Sequence, residues 1–144
     1  MSTVSIPDGF APHYRKSGLT DPWEPLYSRR TDGVVAIGLR AGAPHANSRG
    51  FVHGGLITAI ADNAMGLSCG EMLRSQTGQD GPSLVTVNLA MDFIGTAQVG
   101  QWLEVRPTVL KAGARLCFCN ALILADDVLC ARANATFAVA KPAI

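Results

Sequence analysis

"NSRGFVHGGLITAIADNAMGLSCG", residues 47–70, is the stretch on which the fold turns. A histidine and two glycines open a run whose apolar residues fall at 56, 57, 60, 61, 64, 65 and 67. That recurrence is the period of a helix with a wide apolar face. It predicts a helix from Gly54 or Gly55 to about Leu73, largely enclosed by other structure. Inside the run stands Asp62, and a buried carboxylate is costly unless it is paired or changes its protonation state. No Lys or Arg lies within one turn to pair with it. Asp62 is therefore a solvated neighbour of Thr58 and Asn63 in a small polar stripe, a carboxylate paired from elsewhere, or a group kept for chemistry.

Downstream the period changes from helical to alternating. In "SLVTVNLAMDF" (83–93), Leu84, Thr86, Asn88, Ala90 and Asp92 take one side and Val85, Val87, Leu89, Met91 and Phe93 the other, as in a strand. "QWLEVRPTVLK" (101–111), "ARLCFCNALIL" (114–124) and "VLCARANATFAVA" (128–140) read as three more strands. "AG" at 112–113 and "ADD" at 125–127 serve as tight turns between them. Pro107 cannot donate to a ladder, so a sheet edge or a bulge is expected there. Upstream, "GVVAIGL" (33–39) is a strand, and "RAGAPHANSRG" (40–50) and "SQTGQDGPS" (75–83) are loops. Residues 1–30, with Pro7, Pro12, Pro22 and Pro25, read as an irregular segment with room for a short helix. Strands joined by short turns make an antiparallel sheet, and only that sheet is available to cover the helix. The expected fold class is α+β: a long central helix wrapped by a curved antiparallel sheet, in one domain over residues 31–144.

Composition narrows the partners. Of 144 residues, 48% belong to the hydrophobic set and only 16% are charged, so a chain this small is expected to bury part of its surface against further subunits. A net charge of +1 without a Lys/Arg block argues against nucleic acid. The longest apolar run is interrupted by Asp62 and Asn63 and is too short for a membrane span. The opening "MSTVSIPDGFAPHYRKSG" lacks the apolar core of a signal peptide, so a cytoplasmic protein with reduced thiols at Cys69, Cys117, Cys119 and Cys130 is expected. Cys117 and Cys119 share one face of a strand and lack a second matched pair, so no metal site is expected.

The "HGG" at 53–55 is either a plain turn into the helix or a site for an oxyanion. The first N–H groups of a helix have no internal acceptors and carry partial positive charge, and glycine lets a ligand approach them. Such N–H groups can hold a carbonyl oxygen and stabilise the charge it gains during nucleophilic attack. From Gly54 to Asp62 is eight residues, about 12 Å along a helix at 1.5 Å per residue. Reacting atoms must approach to ~3–3.5 Å, so the two cannot act on one bond from the same helix. If both act, Asp62 comes from a second subunit whose helix runs antiparallel across a two-fold axis.

The pattern Asn47-x5-His53-Gly54-Gly55-x6-Asp62, followed by the helix and then "VTVNLAMDFIGTAQVGQWLEV" (85–105), resembles the hotdog-fold acyl-CoA thioesterases of the phenylacetate-degradation (PaaI-type) branch over roughly residues 30–140. The resemblance implies a hotdog fold with sheets paired in a dimer, and hydrolysis of an acyl-CoA to a free acid and CoA. In its terms the Gly54 N–H polarises the thioester carbonyl, and Asn47 holds the acyl group or the attacking water. Asp62 of the partner subunit is base or nucleophile, and Thr86 orients the water. His53 and Gly55 belong to the substrate-binding loop. Lys111 and Arg115, flanking the "KAGAR" turn, and Arg49 are candidates for the CoA phosphates. CoA is then part of the substrate and no cofactor is implied; the assembly is a homodimer or homotetramer. Two other readings stay open: a non-catalytic acyl-CoA binding protein, and an acyl-thioester hydratase or dehydratase, which pairs a histidine with an acid.

Overall fold

A computed structural model describes residues 5–80 and 83–140. Its strands are β1 (Ala11–Pro12), β2 (Tyr27–Thr31), β3 (Val34–Arg40), β4 (Ser83–Phe93), β5 (Trp102–Ala112), β6 (Leu116–Ala125) and β7 (Val128–Ala140), with one long helix, α1 (Gly54–Thr77). All seven strands form a single antiparallel sheet in the order β1-β2-β3-β5-β6-β7-β4. The connection through α1 therefore carries the chain from β3 to the far edge of the sheet. The helix lies across the sheet's concave face, which is the hotdog arrangement. Leu56, Ile57, Ile60, Ala61, Ala64, Met65, Cys69 and Leu73 are buried against Val35, Ile37, Leu39, Leu103, Val105, Ile123 and Phe137. Ser68, also buried, ties helix to sheet by accepting the Val35 N–H at 3.0 Å. The helix runs four residues past the expected Leu73 and stops at Gly78, whose φ of 70° fits a left-handed cap. Among the described residues no helix is long and apolar enough to cross a membrane.

The proline-rich start is more ordered than its composition suggests. Tyr27–Thr31, expected to fall in or beside an irregular segment, is strand β2, and Ala11–Pro12 pairs with it. The reason lies in the turn: Asp32 (φ 51°) and Gly33 (φ 79°) are both left-handed, as a two-residue hairpin between twisted strands requires. The short helix foreseen there is a single 3₁₀ turn, Asp21–Trp23. This segment wraps the sheet edge. Phe10 packs on Trp102 on the outer face, with ring centroids 5.2 Å apart, while His13 reaches the helix on the inner face.

Two irregularities fit the sequence in physical terms. Pro107 sits where β3 has already left β5, whose shared register ends at Ile37↔Val105, so no ladder bond is lost on that side. In β4 a bulge between Thr86 and Asn88 breaks the strict alternation, so that Leu84, Leu89 and Met91 all pack against the core. The "ADD" turn holds, with Asp126 and Asp127 both at positive φ.

Candidate active site

Asp62 is half-buried on the flank of α1 beside β4, in a half-buried stripe with Ala59, Asn63, Gly66, Leu67 and Gly70. The bulge in β4 leaves Thr86 facing this stripe. Its hydroxyl donates to Asp62 Oδ1 at 2.7 Å, a short charge-assisted bond that fixes the carboxylate and leaves Oδ2 open. Asp62 and Thr86 line one cleft, of about 520 Å³, together with Tyr14, Arg15, Arg30, Asn63 and others from helix and sheet.

The loop before the helix is built around Asn47. Its Oδ1 accepts the N–H groups of Arg49 (2.9 Å) and Phe51 (3.2 Å), and Gly50, at φ 83°, turns the chain back. Because Oδ1 is taken by two donors, the amide orientation is fixed and the NH₂ is left for a ligand. His53 is the N-cap of α1: its Nδ1 accepts the Gly55 N–H at 2.8 Å. The Gly55 N–H is thereby spent within the protein, and Gly55 lines neither of the two clefts of the chain. The Gly54 N–H makes no hydrogen bond to protein among the described residues. Phe93 covers that glycine so closely that a Cβ on Gly54 would sit 3.1 Å from its ring. Gly54, Asn47 and Arg49 line a second cleft, of about 370 Å³, with Phe51, Ile57 and Phe93.

The chain thus brings the proposed residues together in two pairs and keeps the pairs apart. Asp62 and Thr86 face one cleft, Asn47 and Gly54 the other, and no residue lines both. Lys111 and Arg115 are exposed on the β5–β6 turn and line neither. None of the three histidines bonds a carboxylate among the described residues. His45 accepts from the Gly42 N–H and bonds the Trp23 carbonyl, His53 caps the helix, and His13 Nε2 meets Asn63 Oδ1 at 3.1 Å. The acid-paired histidine that a hydratase would use is not found among them. Tyr14, Arg15, Arg30 and Phe93 escape a motif reading because they come from distant parts of the chain. Asn63, beside Asp62 on a buried helix, was visible as a second polar residue.

Comparison with known proteins identifies the family. The profile of the family described as the Thioesterase superfamily matches residues 49–132. PA0474 of Pseudomonas aeruginosa, named as a candidate esterase, is 34% identical over 135 residues, covering 93% of this chain and 97% of that protein. Human acyl-coenzyme A thioesterase 13 is 29% identical over 86 residues, 60% of this chain and 57% of that protein. Among solved structures, a phenylacetic acid degradation-related protein of Ralstonia eutropha superposes with a TM-score of 0.71 at 26% identity, covering 87% of this chain and 92% of that one. By the profile match and the near full-length relative, this chain belongs to the thioesterase superfamily and is a thioester hydrolase.

Proposed function

We propose that the chain hydrolyses acyl-CoA thioesters at a site completed by a second copy of itself. The observation that carries this reading is the separation of the two residue pairs into two clefts, since neither pair alone can both activate water and hold an oxyanion. β4, eleven residues long, pairs among the described residues only with β7 and exposes Val85, Val87 and Phe93. An unpaired apolar edge of that length is an invitation to strand pairing. Joining two chains there, with their helices antiparallel, carries the partner subunit's Gly54 and Asn47 toward Asp62.

In the mechanism, Asp62 takes a proton from a water that Thr86 helps to orient, and the water oxygen bonds to the thioester carbon. The carbonyl oxygen gains the negative charge and is held by the partner subunit's Gly54 N–H and Asn47 NH₂. When the tetrahedral adduct collapses, the C–S bond breaks, its electron pair goes to sulfur, and the proton on Asp62 passes to the departing thiolate. The products are a free acid and CoA. CoA is the thiol carrier suggested by the name of the human relative. Arg49, which lines the second cleft, is the candidate this reading favours for its phosphates, ahead of Lys111 and Arg115.

The test is thiol release from a panel of aryl- and fatty-acyl-CoAs by wild type and by Asp62→Asn. Release by wild type and a loss of ~10²–10⁴-fold in the variant is expected for a missing general base. Tight acyl-CoA binding without turnover would identify a binding protein instead.

A further inference from the structure

Resting on the thioesterase reading, we propose that the cleft beside Asp62 selects acyl groups that end in a carboxylate, gripped by Asn63, Arg15 and Arg30. The polar groups of that cleft divide into those with a partner and those without one. Its two carboxylates each have a partner: Asp62 accepts from the Thr86 hydroxyl through Oδ1 at 2.7 Å, and Glu71 accepts from Arg74 at 3.3 Å. Its remaining charged and amide donors do not. Arg15 and Arg30 both line the cleft, and neither has a carboxylate partner among the described residues.

Arg30 is held as a recognition group. Its guanidinium stacks on the Tyr14 ring, 3.7 Å from the centroid. Stacking uses the flat face of the group and leaves its in-plane N–H donors free for a carboxylate. Asn63 is oriented by a buried neighbour. His13, 2% exposed, bonds Asn63 Oδ1 through Nε2 at 3.1 Å, which leaves the Asn63 NH₂ to donate into the cleft. Tyr14 follows His13 in the chain and packs edge-on against it, with centroids 5.1 Å apart. Arg30, Tyr14, His13 and Asn63 are therefore one connected frame, anchored to the residue next to Asp62. The donors so placed line the same cleft as Asp62 and Thr86. A short acyl chain stays within that cleft, whereas the pantetheine arm, with the reach of roughly four residues or about 14 Å, carries the CoA diphosphate farther off. The anion that these donors suit best is on the acyl side.

The experiment compares kcat/KM for adipoyl-CoA and hexanoyl-CoA, equal in carbon count and differing in a terminal carboxylate. Wild type is expected to favour adipoyl-CoA at least tenfold, and the adipoyl-to-hexanoyl ratio is expected to fall at least tenfold in Arg30→Gln and in Arg15→Gln combined with it. The same pair as N-acetylcysteamine thioesters, which lack phosphates, is expected to keep the preference. A wild-type ratio near one overturns the proposal. So does a drop by one common factor for both CoA thioesters with none for the phosphate-free pair, because the arginines then hold a CoA phosphate. Should no thioester be cleaved, the hydrolase reading fails separately. Calorimetry of both CoA compounds on Asp62→Asn then decides the acyl preference, with at least tenfold tighter binding of adipoyl-CoA expected and equal affinities refuting it.

Discussion

A composite site makes a quantitative prediction for mixed oligomers. Asp62→Asn removes the proposed base but leaves Gly54 and Asn47 intact. Asn47→Asp keeps the Oδ1 that accepts from Arg49 and Phe51, so the loop holds, and replaces the free NH₂ donor by an oxygen. Each homodimer then has two defective sites. Removal of a base costs ~10²–10⁴-fold and of an oxyanion donor ~10²–10³-fold, so each parent retains about 1% or less. Mixing the two chains by refolding from denaturant gives homodimers and heterodimers, with about half of all dimers mixed. In each mixed dimer one site takes Asp62 from the Asn47 variant and Gly54 with Asn47 from the Asp62 variant, and is wild type; the other carries both lesions. One intact site in half the dimers is about a quarter of wild-type activity, some 25-fold above either parent. Thiol release per chain, measured before and after refolding the mixture, reads this directly. An activity that stays at the mean of the two parents would falsify the shared site, because residues acting within one chain cannot be repaired by a second.

Thr86→Ala removes a hydroxyl bond to a carboxylate worth about 1.5–3 kcal/mol, so kcat is expected to fall ten- to a hundredfold while Thr86→Ser retains most of it; equal loss in both variants would show that the methyl group matters instead. Gly38→Ala places a Cβ 2.2 Å from the Trp102 ring, and an overpacking cost of about 1–3 kcal/mol should appear as a lower denaturant midpoint. Cys69, Cys117, Cys119 and Cys130 are all buried, and burial pushes the Cys117 thiol up to about 11, so Ellman's reagent should find no reactive thiol in the native protein and all four after denaturation. Burial holds His13 below its ordinary value of 6.5, with the Asn63 bond opposing. As pH falls past 6.5 the unfolded chain takes up that proton before the folded one, so this group's contribution is present above that pH and is lost toward the lower folded value. His13→Gln, which does not titrate, should lose less stability than wild type between about pH 7.5 and about pH 5.5; parallel losses would refute the assignment.

What could be read from the sequence was what depends on neighbours along the chain. The helix beginning at Gly54, the strands that alternate after it and the Asp126–Asp127 turn are local periodicities or local dihedral demands. The incompatibility of Gly54 and Asp62 within one helix was legible too, because the helical rise fixes it before any coordinate is known. The misses share a different cause. In β4 a single extra residue at the bulge reverses the alternation, and nothing in "LVTVNL" marks where it falls. Strand β2 was hidden by the prolines around it, although Asp32-Gly33 is a recognisable hairpin turn.

The same distinction explains which parts of the site were found. Asn47, Gly54 and Asp62 lie within sixteen residues on one loop and helix, so their spacing is a sequence property. The wall facing Asp62 is assembled from Tyr14, Arg15 and Arg30, and its link to the helix is the His13–Asn63 bond between residues fifty apart. Read alone, His13 is an incidental histidine and Arg30 a surface charge. They gain meaning only because β1 and β2 add to the sheet edge and bring His13 to Asn63 of α1. On the proposed reading, the catalytic half of the site is encoded in a short motif, while the half proposed to sort acyl groups is delivered by topology. Substitutions in residues 11–31 should therefore alter which thioester is cleaved more than whether one is cleaved, and substitutions at 47–62 the reverse.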